Sequence, residues 1–337
     1  YRAREAAIDS LQRGQTSYTA NKGMVELRER IADHVTRYGL EYDPGEEIIV
    51  TAGASEAIDA TFRALVNPGD SVAIAQPAYV SYEPGVRFAG GEPLPVETRA
   101  EDEFVLTRER LEAAGAQDAE LLVYCYPNNP TGATMTEDEL REVAAFCREH
   151  DIAVMADEIY AALTYEGDHT SIATLPGMRE RTVVFNGFSK AYAMTGLRLG
   201  YALAPAHVVE SINRIHQYSM LSAPTTAQHA AIEALDNCEP DVEEMCTQYD
   251  RRRNFVLARL DEMGIDCFEA TGAFYVFPKS PWPDAGEFAE ALLQEEQVAV
   301  VPGDAFGTGG EGHLRMSYAS SMDDLRTAMD RIERFLE

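Results

Sequence analysis

Lysine and long apolar runs are what this chain of 337 residues has least of. Only three lysines occur, Lys22, Lys190 and Lys279, among 28 basic residues. No apolar run approaches the roughly 18 residues that a membrane-spanning helix needs, and the chain does not open on a short apolar stretch with a cleavage site. We therefore expect no membrane partner.

Cysteine is also sparse, and its spacing excludes two familiar kinds of site. The five cysteines form no CxxC pair and no cluster with histidine, so neither a zinc site nor a disulfide framework is expected. An odd number at irregular spacing favours reduced thiols that act as small core side chains in a cytoplasmic protein. These cysteines are Cys125, Cys147, Cys238, Cys246 and Cys267.

Charge of one sign is present in excess. Aspartate and glutamate total 57 against 28 basic residues, a net charge of −29. Such a surface repels nucleic acid, which we exclude as a partner. Because the acidic residues are spread along the whole chain, they do not form a disordered tail. Dispersed acid with almost no lysine suggests the hypothesis of a halophilic protein that works in high salt, where self-repulsion is screened.

Apolar, β-rich runs alternate with helical patterns over the first two-thirds of the chain. Continuous apolar strands separated by helices predict an α/β fold with a mostly parallel sheet that helices cover on both faces. Ligands of such sheets bind at the carboxyl ends of the strands. The predicted strands are 47–52, 71–76, 121–126, 152–157, 182–187 and 199–204.

A second region, of different character, begins near residue 220. Helical patterns come first, followed by three short apolar runs and a closing helix, which together predict a smaller α+β domain. We assign 18–220 to the large domain, and 1–17 with 221–337 to the small one. Residue 1 is Tyr and the first residues read as a helix entered partway, so we expect a segment before it.

The motif FNGFSKAYAMTGLRLGY, 185–201, places Lys190 just past a buried strand. A lysine that condenses with a carbonyl group must be neutral, and burial near other cations lowers its pKa. Ser189 and Arg198 offer hydroxyl and guanidinium donors that suit a phosphate. The alternative interpretation is that Lys190 is an ordinary solvated lysine on a loop.

Asp157 directly follows the apolar run IAVMA, and Tyr160 comes three residues later. A carboxylate at the end of a buried strand is costly unless a cation or donors compensate it. The protonated ring nitrogen of a pyridine cofactor would do so, and the ring would then accept electrons from a substrate carbanion. Tyr160 would reach the phenolic oxygen of that ring. The alternative for Asp157 is an ordinary helix cap or turn residue.

The segment TAGASEAI, 51–58, runs from a strand through glycine into a helix. Free N–H groups at Gly53, Ala54 and Ser55 would face an anion at the helix N-terminus. Ser55 also fits an N-cap. In YPNNPTG, 126–132, Asn129 follows another strand, and its amide would donate to the ring oxygen or to a substrate carboxylate, although the segment is a Pro/Gly turn in any case.

Two further side chains complete the predicted site. Tyr79, in QPAYVSYE at the start of a helix after a strand, is suited to stack on an aromatic cofactor, or else is a core tyrosine. Arg315 lies within the apolar run HLRMSYA. Its guanidinium would bind a substrate carboxylate through two hydrogen bonds, or else form an internal salt bridge.

Taken together, these motifs resemble the class I/II aminotransferases, which are pyridoxal-phosphate enzymes of the aspartate aminotransferase fold (fold type I). The resemblance covers essentially the whole chain. The segments that carry it, in the order and spacing of that family, are SYTANKGMVELRERIA, TAGASEAI, YPNNPTG, DEIY, FSKAYAMTGLRLGY, VPGDAFG and HLRMSYA. One departure is Leu197, where relatives often carry Trp.

The resemblance implies a role for each predicted residue. Lys190 would form the Schiff base with pyridoxal 5'-phosphate and carry the proton in ping-pong transamination. Asp157 would contact the pyridine nitrogen, and Tyr160 with Asn129 the ring oxygen. Arg315 would bind the substrate carboxylate. Tyr79 would stack on the ring, and Tyr18 would reach the phosphate of the neighbouring subunit of a homodimer. The phosphate would be held by Gly53, Ala54, Ser55, Ser189 and Arg198.

The implied reaction moves an amino group from an L-amino acid, with aspartate or an aromatic amino acid favoured, to a 2-oxo acid such as 2-oxoglutarate. Two alternatives stay open. A carbon–sulfur lyase or a synthase can use the same scaffold, and product analysis would separate these from a transaminase. The other alternative is an aminotransferase-like effector-binding module of a transcription regulator. Such a module is fused to a basic DNA-binding domain, whereas this chain is acidic, with a net charge of −29.

Overall fold

The computed structural model describes all 337 residues and centres on a seven-stranded sheet. Six of its strands are short runs in which every residue, or every residue but one, is buried, because helices lie on both faces. The strands are β1 (Ile48–Thr51), β2 (Ser71–Gln76), β3 (Glu92–Glu97), β4 (Leu121–Cys125), β5 (Ala153–Asp157), β6 (Thr182–Gly187) and β7 (Gly200–Leu203).

The strand order across this sheet is β1-β7-β6-β5-β4-β2-β3. From β3 to β6 all neighbours run parallel, whereas β7 is antiparallel to both β6 and β1. Since β1 is antiparallel to β7, it runs in the same direction as β2 to β6. The carboxyl ends of these six strands therefore open at one edge of the sheet, which is where parallel sheets place their ligands. The predicted mostly parallel α/β sheet is confirmed.

Side chains of β4 show how the sheet separates two cores. Leu122 and Tyr124 face two helices, α5 (Arg108–Ala114) and α6 (Glu137–Glu149), on one side of the sheet. Val123 faces three helices on the other side, α3 (Ala54–Leu65), α4 (Tyr82–Ala89) and α7 (Ala206–Ser219). The helices are α1 (Arg2–Gln12), α2 (Val25–Val35), α3 (Ala54–Leu65), α4 (Tyr82–Ala89), α5 (Arg108–Ala114), α6 (Glu137–Glu149), α7 (Ala206–Ser219), α8 (Thr225–Asn237), α9 (Glu239–Glu262), α10 (Ala285–Glu296) and α11 (Met322–Leu336). None of them is both long and apolar enough to cross a bilayer.

A second, three-stranded antiparallel sheet follows in the chain, in the order β8-β10-β9. Its strands are β8 (Tyr275–Val276), β9 (Val301–Pro302) and β10 (Leu314–Ser317). Together with α9, α10 and α11 it encloses a separate apolar core. The helix α8 contributes its alanines to a different core, shared with β1 and β7, and α1 packs against α8. The division at residue 220 stays a prediction.

Candidate active site

One cavity of about 370 Å³ lies at the carboxyl ends of the parallel strands. Most of the residues singled out from the sequence line it, although they come from six separate segments of the chain. Gly53 adjoins the cavity, whereas the side chain of Tyr18 is 81% exposed and lies outside it. The predicted residues that line it are Ala54, Ser55, Tyr79, Asn129, Asp157, Tyr160, Ser189, Lys190, Arg198 and Arg315.

Lys190 follows the end of β6 in a tight turn and is half-buried. Its Nζ lies 5.4 Å from the ring centre of Tyr160 and 5.3 Å from that of Phe274. Burial lowers the pKa of Lys190, and the charges of Arg315 and Arg198 act in the same direction, while Asp157 opposes them. A larger share of neutral amine follows at neutral pH, which is the form that attacks a carbonyl.

Asp157 is the last residue of β5 and is only 5% exposed. Its Oδ2 accepts a hydrogen bond from the phenol of Tyr82 at 2.6 Å, and its Oδ1 accepts one from the Ile159 N–H at 3.2 Å. Burial raises the pKa of Asp157 to about 6, although both hydrogen bonds and Lys190 act against that rise. Asp157 therefore makes a turn contact and also lines the cavity.

An anion-binding cradle forms where β1 meets α3. Gly53 is the N-cap residue, with φ 89°, and the helix begins at Ala54. Ser55 therefore lies inside the first turn and is not the cap. The N–H groups of Ala54 and Ser55 have no acceptor in the chain, as is usual for the first turn of a helix.

The cradle is closed from the side by β7. A Cβ added to Gly200 would lie 2.3 Å from the backbone nitrogen of Ala54, so only glycine permits this approach of strand to helix. A Cβ on Gly53 would lie 2.6 Å from Nη2 of Arg198, which places this guanidinium directly beside the N-terminus of α3. Arg198 also donates from Nη1 to the Thr195 carbonyl at 2.9 Å.

Arg315 projects from β10 into the other end of the cavity. Its guanidinium carbon lies 4.8 Å from the ring centres of both Tyr275 and Phe306, and Nη1 donates to Oδ1 of Asn129 at 3.0 Å. No carboxylate lies within ion-pair distance of Arg315, so the alternative of an internal salt bridge is wrong. Since Oδ1 of Asn129 accepts from Arg315, its amide nitrogen is left to donate elsewhere.

Sequence reasoning missed several residues that complete the cavity. Tyr275 lines it and places its hydroxyl 3.0 Å from that of Tyr160. Cys125 and Thr195 also line the cavity, and Tyr82 supports Asp157 from behind. Cys125 is the last residue of β4 and lies one position before the end of the predicted strand 121–126, at the edge where ligands bind, so its position in the chain was a usable signal. All five cysteines are free.

Pyridoxal phosphate, which the sequence resemblance implies, fits these residues. The cradle offers two unpaired N–H groups and a guanidinium to a phosphate, in a space that a Cβ would fill. Asp157 is a buried carboxylate held by donors alone and suits a cationic ring nitrogen. Lys190 presents an amine with a lowered pKa to an aldehyde.

Comparison with known proteins agrees with this geometry. The family model for aminotransferase class I and II matches residues 1–332. YugH of Bacillus subtilis (strain 168), assigned as an aminotransferase, is 50% identical over 339 residues, covering 100% of this chain and 88% of the relative. The aspartate aminotransferase of Pyrococcus abyssi is 43% identical over 339 residues, covering 99% and 87%.

Solved structures are similar over nearly the whole of this chain. The aromatic aminotransferase of Pyrococcus horikoshii OT3 superposes with a TM-score of 0.96 at 43% identity, covering 99% of this chain and 91% of that one. The aspartate aminotransferase of Thermus thermophilus with maleate gives 0.94 at 41%, covering 99% and 87%. The fold is therefore that of the fold-type-I transferases. The chain belongs to the class I and II aminotransferases, and it is an enzyme of the transaminase kind that depends on pyridoxal phosphate.

Proposed function

We propose that this enzyme moves the amino group of aspartate or of an aromatic amino acid to 2-oxoglutarate in a ping-pong cycle, with Lys190 as the residue that binds the cofactor covalently. The observation that carries the proposal is one cavity lined by the amine of Lys190, whose pKa is lowered, by the carboxylate of Asp157 and by the guanidinium of Arg315. These groups match the three functions that transamination requires: a proton carrier, a charge partner for the ring and a substrate anchor.

Binding and orientation of the cofactor follow from the two ends of the cavity. The N–H groups at the start of α3, with Ser189 and Arg198, would hold the phosphate. Asp157 would pair with the ring nitrogen, while Tyr79 would stack on the ring face and Tyr160 donate to the ring oxygen. When bound, pyridoxal phosphate supplies an electron sink for the negative charge that develops at the substrate Cα.

Substrate positioning and proton transfer then fall to Arg315 and Lys190. The guanidinium is fixed between two aromatic rings, so it presents its donors to a carboxylate with little loss of side-chain freedom. With the carboxylate held there, Nζ of Lys190 would take the proton from the substrate Cα, because its lowered pKa favours the neutral form of the amine.

Choice of substrate is supported by the charges that line the cavity and by the named activities of relatives. Two arginines, Arg198 and Arg315, line a cavity whose only carboxylate is Asp157, in a chain whose net charge is −29, so the site attracts anions. Relatives include aspartate aminotransferases and an aromatic-amino-acid aminotransferase of Thermococcus litoralis. For aspartate, we propose that a second cation comes from the partner subunit of a homodimer, where Tyr18 would also reach the phosphate.

The first test is the covalent link. Borohydride treatment of the holoenzyme followed by peptide mass spectrometry should locate the reduced cofactor on Lys190. Lys190→Ala should lose transamination by at least a factor of about 10³, because a positioned proton carrier contributes roughly 10²–10⁴ in rate and the covalent step is lost as well. The matched control is Lys279→Ala, since Lys279 is exposed and pairs only with Asp266. Turnover by Lys190→Ala near the wild-type rate would refute the assignment.

The second test concerns the substrate. A panel of amino donors with 2-oxoglutarate as acceptor, assayed in high salt, should give the highest kcat/KM with aspartate or with an aromatic amino acid. Stoichiometric formation of glutamate and the matching 2-oxo acid separates transamination from a lyase or synthase reaction. A clear preference for another donor would overturn the substrate proposal and leave the family intact.

A further inference from the structure

A phenol supports the catalytic carboxylate from outside the cavity. Tyr82 begins α4, is 1% exposed and does not line the cavity. Its hydroxyl donates to Oδ2 of Asp157 at 2.6 Å, while the Ile159 N–H donates to Oδ1 at 3.2 Å. One donor on each oxygen fixes the plane of the carboxylate, and each oxygen keeps a lone pair for a further donor.

The surroundings of Tyr82 keep it in this role. Burial raises the pKa of its phenol well above the usual value of 10, so the hydroxyl stays protonated and keeps its hydrogen for Asp157. The ring of Tyr79 packs edge-on against that of Tyr82, with 5.6 Å between centres. A hydrogen bond to a carboxylate is stronger than one between neutral groups, and it favours the ionised form of the acid.

We propose that Tyr82 is a positioning residue that holds Asp157 ionised and correctly oriented toward the ring nitrogen of the cofactor. The inference rests on the proposed contact between Asp157 and that nitrogen. Without the phenol, the buried carboxylate would take up a proton at higher pH and would be free to rotate, and it would then lose its charge partner in the cofactor.

The experiment measures the dissociation constant of pyridoxal phosphate between pH 5 and 9 for the wild-type apoprotein and for Tyr82→Phe. At pH 8 the variant should bind about tenfold more weakly, the size expected for one hydrogen bond to a charged group. On acidification it should lose affinity at a midpoint roughly one pH unit above that of the wild type, because one unit is the same tenfold preference for the ionised acid.

Tyr126→Phe is the matched control. Tyr126 is also buried, and its hydroxyl donates to the Phe104 carbonyl at 2.8 Å, away from Asp157. It loses the same atom but should keep the wild-type midpoint. An equal shift in both variants would mean that loss of any buried phenol hydroxyl has this effect, and would overturn the inference.

Two further arms separate this inference from the proposed function. Asp157→Ala should bind the cofactor weakly. If Asp157→Ala binds the cofactor as tightly as the wild type, the proposed contact between Asp157 and the ring nitrogen is wrong. If only Tyr82→Phe binds normally, the role of Tyr82 is wrong and that of Asp157 stands. With a cofactor analogue that carries CH in place of the ring nitrogen, wild type and Tyr82→Phe should bind equally within about twofold, since the charge pair is absent. A persisting tenfold difference would contradict action through Asp157.

Should Tyr82→Phe fail to fold, 3-fluorotyrosine incorporated at position 82 gives the same test with almost no change in size. Fluorine makes the phenol a stronger donor, so the acid midpoint of cofactor binding should move below that of the wild type. An unchanged or higher midpoint would overturn the inference.

Discussion

Asp157, the proposed partner of the ring nitrogen, destabilises the folded chain when it is ionised. The carboxylate is buried, and burial raises its pKa to about 6 although two hydrogen bonds favour its ionised form. A cationic ring nitrogen in the cavity would relieve this cost. Without cofactor, the ionised carboxylate destabilises the folded chain at neutral pH. This is expected of a group that serves to bind a cofactor and not to stabilise the fold.

Asp157→Asn should therefore stabilise the apoprotein at pH 8 by about 1–3 kcal/mol, while it weakens cofactor binding. The folded pKa lies above the ordinary value of 3.8, so the folded chain binds the proton more tightly. This contribution to stability is present below pH 4, falls as the pH rises to about 6 and is constant above. Urea unfolding without cofactor should show the difference between variant and wild type growing over that window.

The control for this measurement is Asp261→Asn, the same chemical change at an exposed position near the end of α9. Its difference from wild type should be small, since surface substitutions usually have little effect on stability. A difference for Asp157→Asn that stayed constant between pH 4 and 6 would contradict the raised pKa.

Individual site residues could be predicted where their position relative to a nearby strand in the chain indicates their role. Lys190, Asp157 and Asn129 each follow a buried strand, and the topology places the ends of those strands together. Tyr82 and Tyr275 carry no such signal, because each acts on a partner far away in the chain. Tyr82 lies 75 positions from Asp157, and Tyr275 lies 115 positions from Tyr160. Only the assembled fold brings these pairs into contact.

At the scale of elements, we propose that the start of α3 determines whether the phosphate of the cofactor binds. Gly53 has φ 89°, and its missing side chain leaves space for the Arg198 guanidinium. A bound anion would lie between the two free N–H groups of the first turn and the guanidinium of Arg198. The space between them must therefore stay free. The local backbone and a side chain from a distant segment thus form one cradle.

Gly53→Ala should weaken pyridoxal phosphate binding by at least about tenfold, because the new Cβ displaces Arg198 and strains the turn. Gly69→Ala is a close control: its φ is 90°, and a Cβ there meets no atom within 4 Å. Both variants should lose roughly 1 kcal/mol of stability from the backbone, but only Gly53→Ala should lose affinity, as measured by cofactor titration. Equal losses of affinity would contradict the cradle.

Most elements of the large sheet follow from composition and periodicity, and the exceptions have physical causes. All six predicted strands are present, within about a residue or two at each end. The strand β3, Glu92–Glu97, was missed because it carries Pro93 and Pro95 and only one of its six residues is buried. Proline is tolerated there because β3 pairs on one side only, at the edge of the sheet. Tyr79 precedes α4 by three residues instead of starting it.

Across the whole molecule, charge is distributed unevenly. Even if each of the 28 basic residues paired with one acid, 57 minus 28, or 29, acidic side chains would remain unpaired. Many of the ion pairs join exposed arginines to neighbours on the same helix, as Arg63 does with Asp59 and Arg214 with Glu210. Such pairs contribute little to stability. Repulsion among the remaining acids therefore dominates the electrostatics of the surface.

We propose that the chain works in high salt, and expect its free energy of unfolding to rise with added KCl. The screening length falls from about 10 Å at 0.1 M to about 3 Å at 1 M, so most of the rise in the urea midpoint should occur below roughly 1 M. Potassium sulfate at equal ionic strength separates screening from salting-out, since only salting-out continues to stabilise beyond that range. Salt also weakens the arginine pairs, but the unpaired acids outnumber them, so the net effect is stabilising. A urea midpoint that stayed level or fell in KCl would contradict the proposal.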